Sequence, residues 1–402
     1  MGEIALMSFH DWLVQLRRHF HQYPELAYRE ERTAAKIAEV LGELGIPFQA
    51  GVGRTGIVAA LVAEKPGPTL AMRADMDALP LEEQTELPYK SRHPGVMHAC
   101  GHDGHLAIML GVVRALIESD WRERGRGRML FLFQPAEEGG AGARAMLETG
   151  FLDSEAIAAI LAGHLHPELE VGHLGFAPAA SNAASDTINL RLIGRGGHGA
   201  QPQLCIDPIV AGAHLVTQLQ TIISRSLAAT DSAVLTIGRF QAGTARNIIP
   251  REAILEGTLR TLDPLVRERV LGRLEELVKG LETAHQVKAE LETAVGYPLL
   301  VNHPDVVRQV KAQAEQLLGP DCVHPGLPRM GSEDFAFFLE RFPGMLLRLG
   351  CRNQEQVRTA GLHSPFFDFD ERTLSVGVRL FTHLLTTYDP RPQVPEPSGQ
   401  SF

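Results

Sequence analysis

Leu13, Leu16 and Phe20, then Ile37, Val40, Leu41 and Leu44, recur at spacings of three and four. That repeat keeps an apolar stripe on one side of an α-helix and predicts two helices near the start of the chain. Gly45 ends the second, since glycine accepts the left-handed conformation that closes a helix. Short apolar runs follow over 56–63, 69–73, 129–134 and 156–163, each bounded by glycine, proline or charge. Runs this short and this uniformly apolar predict buried strands. Helical patterns over 106–117 and 141–147 separate several of them, so the N-terminal half reads as α/β, with a mixed, mostly parallel sheet and helices on both faces.

The middle of the chain changes rhythm. A strand is predicted at 186–193, a helix at 208–224, strands at 233–240 and 253–261, a helix at 264–283 and a strand at 286–293. This β-α-β-β-α-β order is the split, ferredoxin-like unit. Beyond Gly296, helices at 305–318, 334–341 and 371–387 and a strand at 345–349 resume the α/β pattern. The expected organisation is one α/β domain, residues 1–184 and 296–388, interrupted by a smaller inserted domain, 185–295. The proline-rich end, 389–402, is expected to be a disordered tail.

Composition narrows the classes of function. The 402 residues are 44% hydrophobic and 21% charged, as in globular proteins. Lys plus Arg number 38 against 48 Asp plus Glu, a formal charge of −10 without a long basic run, which argues against nucleic-acid or anionic-membrane partners. The N-terminus lacks a basic leader with an apolar stretch, and Pro208–Ser224, the least polar long stretch, is interrupted by His214, Gln218 and Gln220. No transmembrane segment is expected. Four scattered cysteines form no CxxC pair, which suits a reducing compartment. The expected location is the cytoplasm.

Three predicted strands end in chemistry: TLAMR leads to Asp75 and Asp77, MLFLFQ to Glu137 and Glu138, and AIAAILAG to His164 and His166. Open α/β sheets bind ligands beyond the carboxyl ends of their strands. Between the first two lies HACGHDGH, with His98, Cys100, His102, Asp103 and His105 in eight residues. Thiolate, imidazole and carboxylate are transition-metal ligands, and this set exceeds what one tetrahedral ion uses. Cys205, Cys322, Cys351, His10, His19 and His285 are isolated and read as structural. GVGRTG, residues 51–56, matches a dinucleotide-binding fingerprint, but the following GIVAALVAEKPGP looks like a hairpin strand and supplies no helix to receive a pyrophosphate.

LRRHFHQYPELAYRE, RADMDALP, PGVMHACGHDGH, FQPAEEGGAGA, GRGGHGAQP with IDPI, ARNIIP, MGSEDF and LHSPFFDFDE occur in that order along nearly the whole chain. In them the sequence resembles the dinuclear metal amidohydrolases that include hippurate hydrolases, N-acyl-amino-acid aminoacylases and auxin-conjugate hydrolases. The resemblance implies that Cys100, His102, Glu138, His164 and His363 bind two divalent metals, with Zn²⁺, Mn²⁺, Co²⁺ and Ni²⁺ all chemically acceptable. It implies Glu137 as general base and the inserted domain as a dimerisation lid. By the same resemblance, His198 on that lid matches the histidine that such dimers lend to the neighbouring subunit, and Asn247 and Arg246 match substrate contacts. Asp77, with Asp75, is expected to orient a metal ligand, and Asp103 either does the same or caps a helix. His166 stands where relatives commonly carry an aromatic residue.

The implied activity is cleavage of the amide bond of an N-acyl amino acid or small conjugate by a homodimer, releasing a carboxylic acid and a free amino acid. Dipeptidase action by the same machinery is a close alternative, and a catalytically silent metal- or ligand-binding relative is an alternative of another class.

Overall fold

The computed structural model describes residues 8–352 and 360–390, which divide into two compact units. One comprises the described residues within Met1–Ala179, Val301–Leu327 and Phe337–Phe402; the other comprises Ala180–Leu300 and Pro328–Ala336. Of the expected tail, residues from 391 onward lie outside the described part.

The first unit is built on an eight-stranded mixed sheet. Phe48–Val52 and Gly56–Val62 form an antiparallel hairpin at one edge, followed by Arg126–Gln134, Lys65–Asp75, Ile157–Glu170 and Gly344–Arg352. The last four of these run parallel to one another, and all but the ends of their strands are buried. Leu174–Phe176 and Val323–Pro325 complete the other edge. The hairpin accounts for GVGRTG: its Gly51, Gly53 and Arg54 take positive φ at the turn, and no helix follows. Helix His102–Glu118 is apolar nearly all round, and it is covered by helices Phe9–Gln22 and Arg372–Thr387. The helix expected at 334–341 is reduced to Ala336–Leu339.

The second unit holds a four-stranded antiparallel sheet in the order Ala233–Ala242, Glu252–Thr261, Ala184–Ile193, Lys288–Val295. With helices Pro208–Thr221 and Pro264–His285 this is the β-α-β-β-α-β unit, its first strand central and its fourth at an edge. Each helix starts at an Asp-Pro pair. Asp207 accepts hydrogen bonds from the Ile209 and Val210 amides, and Asp263 from those of Leu265 and Val266, so the orphan amides of the first turn are satisfied where proline fits. The unit also takes in 328–336, because the Ala183 amide donates to Arg329 and Gly331 carbonyls and the Arg329 amide to Ser181.

In the first unit, distant segments meet at Arg17, which is fully buried. Its Nε donates to Asp103 at 2.9 Å and its Nη2 to Asp368 at 2.8 Å, and its guanidinium lies 4.3 Å from the Phe369 ring centroid. His21 Nδ1 adds a 2.8 Å contact to the same Asp103 oxygen. Burial opposes ionisation of Asp103, but Arg17 and His21 hold it far below the ordinary carboxylate range. Removing one partner leaves the others charged and dry, so Arg17→Ala is expected to cost about 3–5 kcal/mol of stability. Urea unfolding followed by circular dichroism checks this, and a loss below about 1 kcal/mol, the value of an exposed pair, contradicts it.

Candidate metal centre

Three parallel strands, a helix start and a loop deliver the donor atoms. Lys65–Asp75 lies between Arg126–Gln134 and Ile157–Glu170, so their carboxyl ends open on one side of the sheet. Asp75 closes the first, Glu137 and Glu138 follow the second, and His164 sits on the third. Cys100 and His102 precede and open helix His102–Glu118, separated by Gly101 at φ +85°. A side chain there would be strained and would press on Leu165, so glycine suits this turn. His363 enters from its loop with φ +62° and its amide donating to the Ala99 carbonyl at 2.8 Å, beside Cys100.

These donors converge. Cys100 Sγ lies 3.5 Å from His164 Nε2 and 3.3 Å from His363 Nε2, which is itself 3.3 Å from Glu138 Oε1. Cys100, His102 and His164 form one group of potential ligand atoms within 4.8 Å of one another, and Cys100, Glu138 and His363 form another. A third joins His102 with Glu137 and Glu138. Cys100 and His102 each belong to two of these three groups, so the donor atoms are enough for more than one ion.

The surroundings orient the ligand atoms. His164 Nδ1 donates to the Leu165 carbonyl at 2.8 Å and His102 Nδ1 to the Asp77 carbonyl at 2.8 Å, which leaves both Nε2 atoms as lone-pair donors. His102 Nε2 is buried without a hydrogen-bond partner. The Asp77 carboxylate accepts the amides of Glu137 and Glu138, one on each oxygen, both at 2.9 Å. Asp75 is held by Arg73 Nη1 at 2.6 Å and receives His105 Nδ1 at 2.5 Å, while His105 Nε2 accepts the Leu165 amide at 2.9 Å.

Electrostatics fit the donor set to cations. Burial, reinforced by Glu138, Glu137 and Asp75, pushes the Cys100 thiol well above its ordinary value, so a thiolate here needs a positive neighbour. Burial disfavours charge on His102, yet Asp75, Asp77 and Glu138 raise it to about 10. The same carboxylates that favour a proton on His102 would favour a metal ion in its place. Burial and His105 drive His164 well below its usual value, keeping it neutral as a ligand must be.

Some expected residues lie apart. His98 is fully buried with both ring nitrogens unpartnered; burial lowers it to about 3, and it belongs to none of the donor groups. His164, not His166, meets Cys100, and the two histidines differ in surroundings although they share one strand. Asp103 turns to Arg17 and His21. In the second unit, exposed His198 pairs with Ile248, and the Gly199 amide donates to the Asn247 carbonyl, so His198, Arg246 and Asn247 share one exposed loop cluster. Ala200 donates to His198 Nδ1 at 3.0 Å, which places the proton of a neutral ring on Nε2. The sequence offered His105 only as one of the possible ligands in HACGHDGH and Arg73 only as the first residue of RADMDALP; neither context says that the two hold Asp75.

Fold and donor set together define a candidate divalent-cation centre at the carboxyl ends of parallel strands. Residues 71–387 match the family described as Peptidase family M20/M25/M40. N-acetyl-L-cysteine deacetylase of Bacillus subtilis (strain 168) is 38% identical over 375 residues, 92% of this chain and 86% of that protein. An IAA-amino acid hydrolase of Arabidopsis thaliana is 35% identical over 385 residues, 95% of this chain and 87% of that one. The crystal structure of the Bacillus subtilis YXEP protein, described as a dinuclear metal binding peptidase, superposes with a TM-score of 0.80 at 33% identity, covering 94% of this chain and 98% of that one. The chain belongs to the M20/M25/M40 peptidase family and is a metal-dependent hydrolase of amide bonds.

Asp77 touches the centre through two backbone amides and the His102 ring. Asp77→Ala is expected to weaken divalent-cation binding about 10- to 100-fold. Isothermal titration with Mn²⁺ reads this directly, and unchanged affinity would show that the loop holds its glutamates without the aspartate.

Proposed function

We propose that the chain hydrolyses the amide bond of N-acyl amino acids, of the N-acetyl or N-benzoyl type, releasing a carboxylic acid and a free amino acid. The observation that carries this reading is the convergence of Cys100, His102, Glu138, His164 and His363 beside Glu137 at one set of strand ends. The activities for which the deacetylase and the IAA-amino acid hydrolase are named support the acyl-amino-acid class.

The five donors would hold two divalent ions, with Asp75 and Asp77 orienting the ligands. Bound there, such ions acidify water from about pKa 15.7 toward 7 and polarise a carbonyl. Glu137 takes the proton of the attacking water and returns it to the leaving nitrogen, which keeps the proton count balanced as the C–N bond breaks. His198 donates from Nε2 to the carbonyl oxygen as it becomes anionic, an interaction worth about 10²–10³ in rate for one such donor. Arg246 and Asn247 contact the substrate. The ferredoxin-like unit serves as lid and dimerisation surface in a cytoplasmic homodimer. No helix among the described residues is long and apolar enough to cross a membrane.

Purified protein supplied with Zn²⁺, Mn²⁺ or Co²⁺ is expected to release amine from a panel of N-acetyl and N-benzoyl amino acids and to stop when chelator is added. Dipeptides in the same panel test the peptidase alternative. Glu137→Gln should lower kcat by about 10²–10⁴ while both metals remain bound. Retained turnover in that variant would remove Glu137 as the base.

A further inference from the structure

The loop from Pro135 to Gly142 carries Glu137 and Glu138, and it is held in an unfavourable backbone shape. Ala136, with φ +53°, and Ala141, with φ +53°, both occupy the left-handed region that non-glycine residues avoid. Both are buried, so solvent does not hold this shape; neighbouring groups do. The Gly142 amide donates to the Ala136 carbonyl at 3.1 Å and closes the loop on itself. A Cβ at Gly142 would fall 1.6 Å from the Pro135 carbonyl oxygen, so only glycine permits that closure.

The other polar group of Ala136 points at a residue far away in sequence. Its amide donates to Glu30 Oε1 at 2.9 Å, and Glu30 Oε2 accepts the Thr55 hydroxyl at 2.6 Å. Glu30 is wholly buried. Tyr28, two residues before it, donates its hydroxyl to the Gly140 carbonyl at 2.7 Å, and Arg54 stacks 4.1 Å from the centroid of the Tyr28 ring. Both ends of the glutamate loop are therefore gripped from 28–30, which is itself steadied by Arg54 and Thr55 of GVGRTG. A buried carboxylate here accepts the amide of the strained residue directly before Glu137. It fixes where the next two side chains leave the backbone.

We infer that Glu30 is a positioning residue that sets Glu137 and Glu138 in register with the metal centre through the Ala136 amide. The inference rests on the reading of those two glutamates given under Proposed function. It also gives GVGRTG a role as a brace in place of a nucleotide site.

Glu30→Gln retains an oxygen for the Ala136 amide, and the Thr55 hydroxyl can turn to accept from the new amide. Glu30→Ala loses both contacts. The test is a Co²⁺ titration of the full chain, following the thiolate-to-cobalt absorption of Cys100, with kcat and KM measured on an N-acyl amino acid. Glu30→Ala is expected to weaken Co²⁺ binding about 10- to 100-fold, alter the cobalt spectrum and lower kcat with little change in KM. Glu30→Gln should recover the spectrum and most of kcat. Thr55→Val, a milder change that keeps Glu30, should shift affinity in the same direction by less and covers the case in which Glu30→Ala does not fold. An unaltered cobalt spectrum and kcat in Glu30→Ala would overturn the inference, as would equal loss of thermal stability in Ala and Gln variants with both spectra unchanged. If the unmodified chain shows no thiolate-to-cobalt band, the metal reading itself fails and the inference falls with it.

Discussion

Burying Asp75, Asp77, Glu137 and the thiol of Cys100 around one imidazole creates a site whose charge is balanced only by cations. Desolvation makes each anion costly, and among the side chains that hydrogen-bond Asp75 the permanent cation is Arg73. The raised His102 and the elevated Cys100 thiol are two signs of the same imbalance: burial beside carboxylates favours positive charge at the positions that divalent ions would take. Metal binding in such a site is coupled to proton release, and the fold must supply enough stability to hold the ligands together against their own repulsion.

That stability comes from two kinds of scaffold. Parallel strands place their carboxyl ends in line, and nearby backbone amides tie down the carboxylates that are not ligands. Asp77 fastens Glu137 and Glu138, and His105 bridges Asp75 to the Leu165 amide next to His164. Behind this, Arg17, His21, Asp103, Asp368 and Glu371 join the first helix, the helix that begins on His102 and the segment before the last helix. His102, Glu138 and His363 are thus each held by a contact from a segment remote in sequence, which is how a site assembled from residues 75 to 363 can have fixed geometry.

Part of this was legible before the fold was known. HACGHDGH and the AEE turn are local concentrations of chemistry, and the apolar runs that end in them identify strand ends facing a ligand. The β-α-β-β-α-β order was also readable, because each of its elements is long and strongly patterned. What escaped was short, exposed or nonlocal. Phe48–Val52 is exposed along most of its length and shows no alternation, and Leu174–Phe176 and Val323–Pro325 are three residues each. The 334–341 pattern predicted a helix, but only its centre coils, since Phe335 and the residues before it are drawn into irregular backbone around Glu333. Glu30 closes the segment LRRHFHQYPELAYRE, but nothing local marks its partner: it is one acidic residue among several at a helix start, and its contact with Ala136 spans 106 residues. The segment 328–336 joined the inserted unit for the same reason, through hydrogen bonds to 181–183 that no periodicity encodes.

Two cations among five named donors would give this site its chemistry. The most direct measurement is a crystal structure of the Mn²⁺- or Zn²⁺-loaded protein, with diffraction recorded on both sides of the metal absorption edge. Two anomalous peaks, both within coordination distance of Cys100, His102, Glu138, His164 or His363 and with Glu137 outside the ligand set, are the predicted result. A single peak, or peaks centred on Asp75 and His105 or on His166, would contradict it.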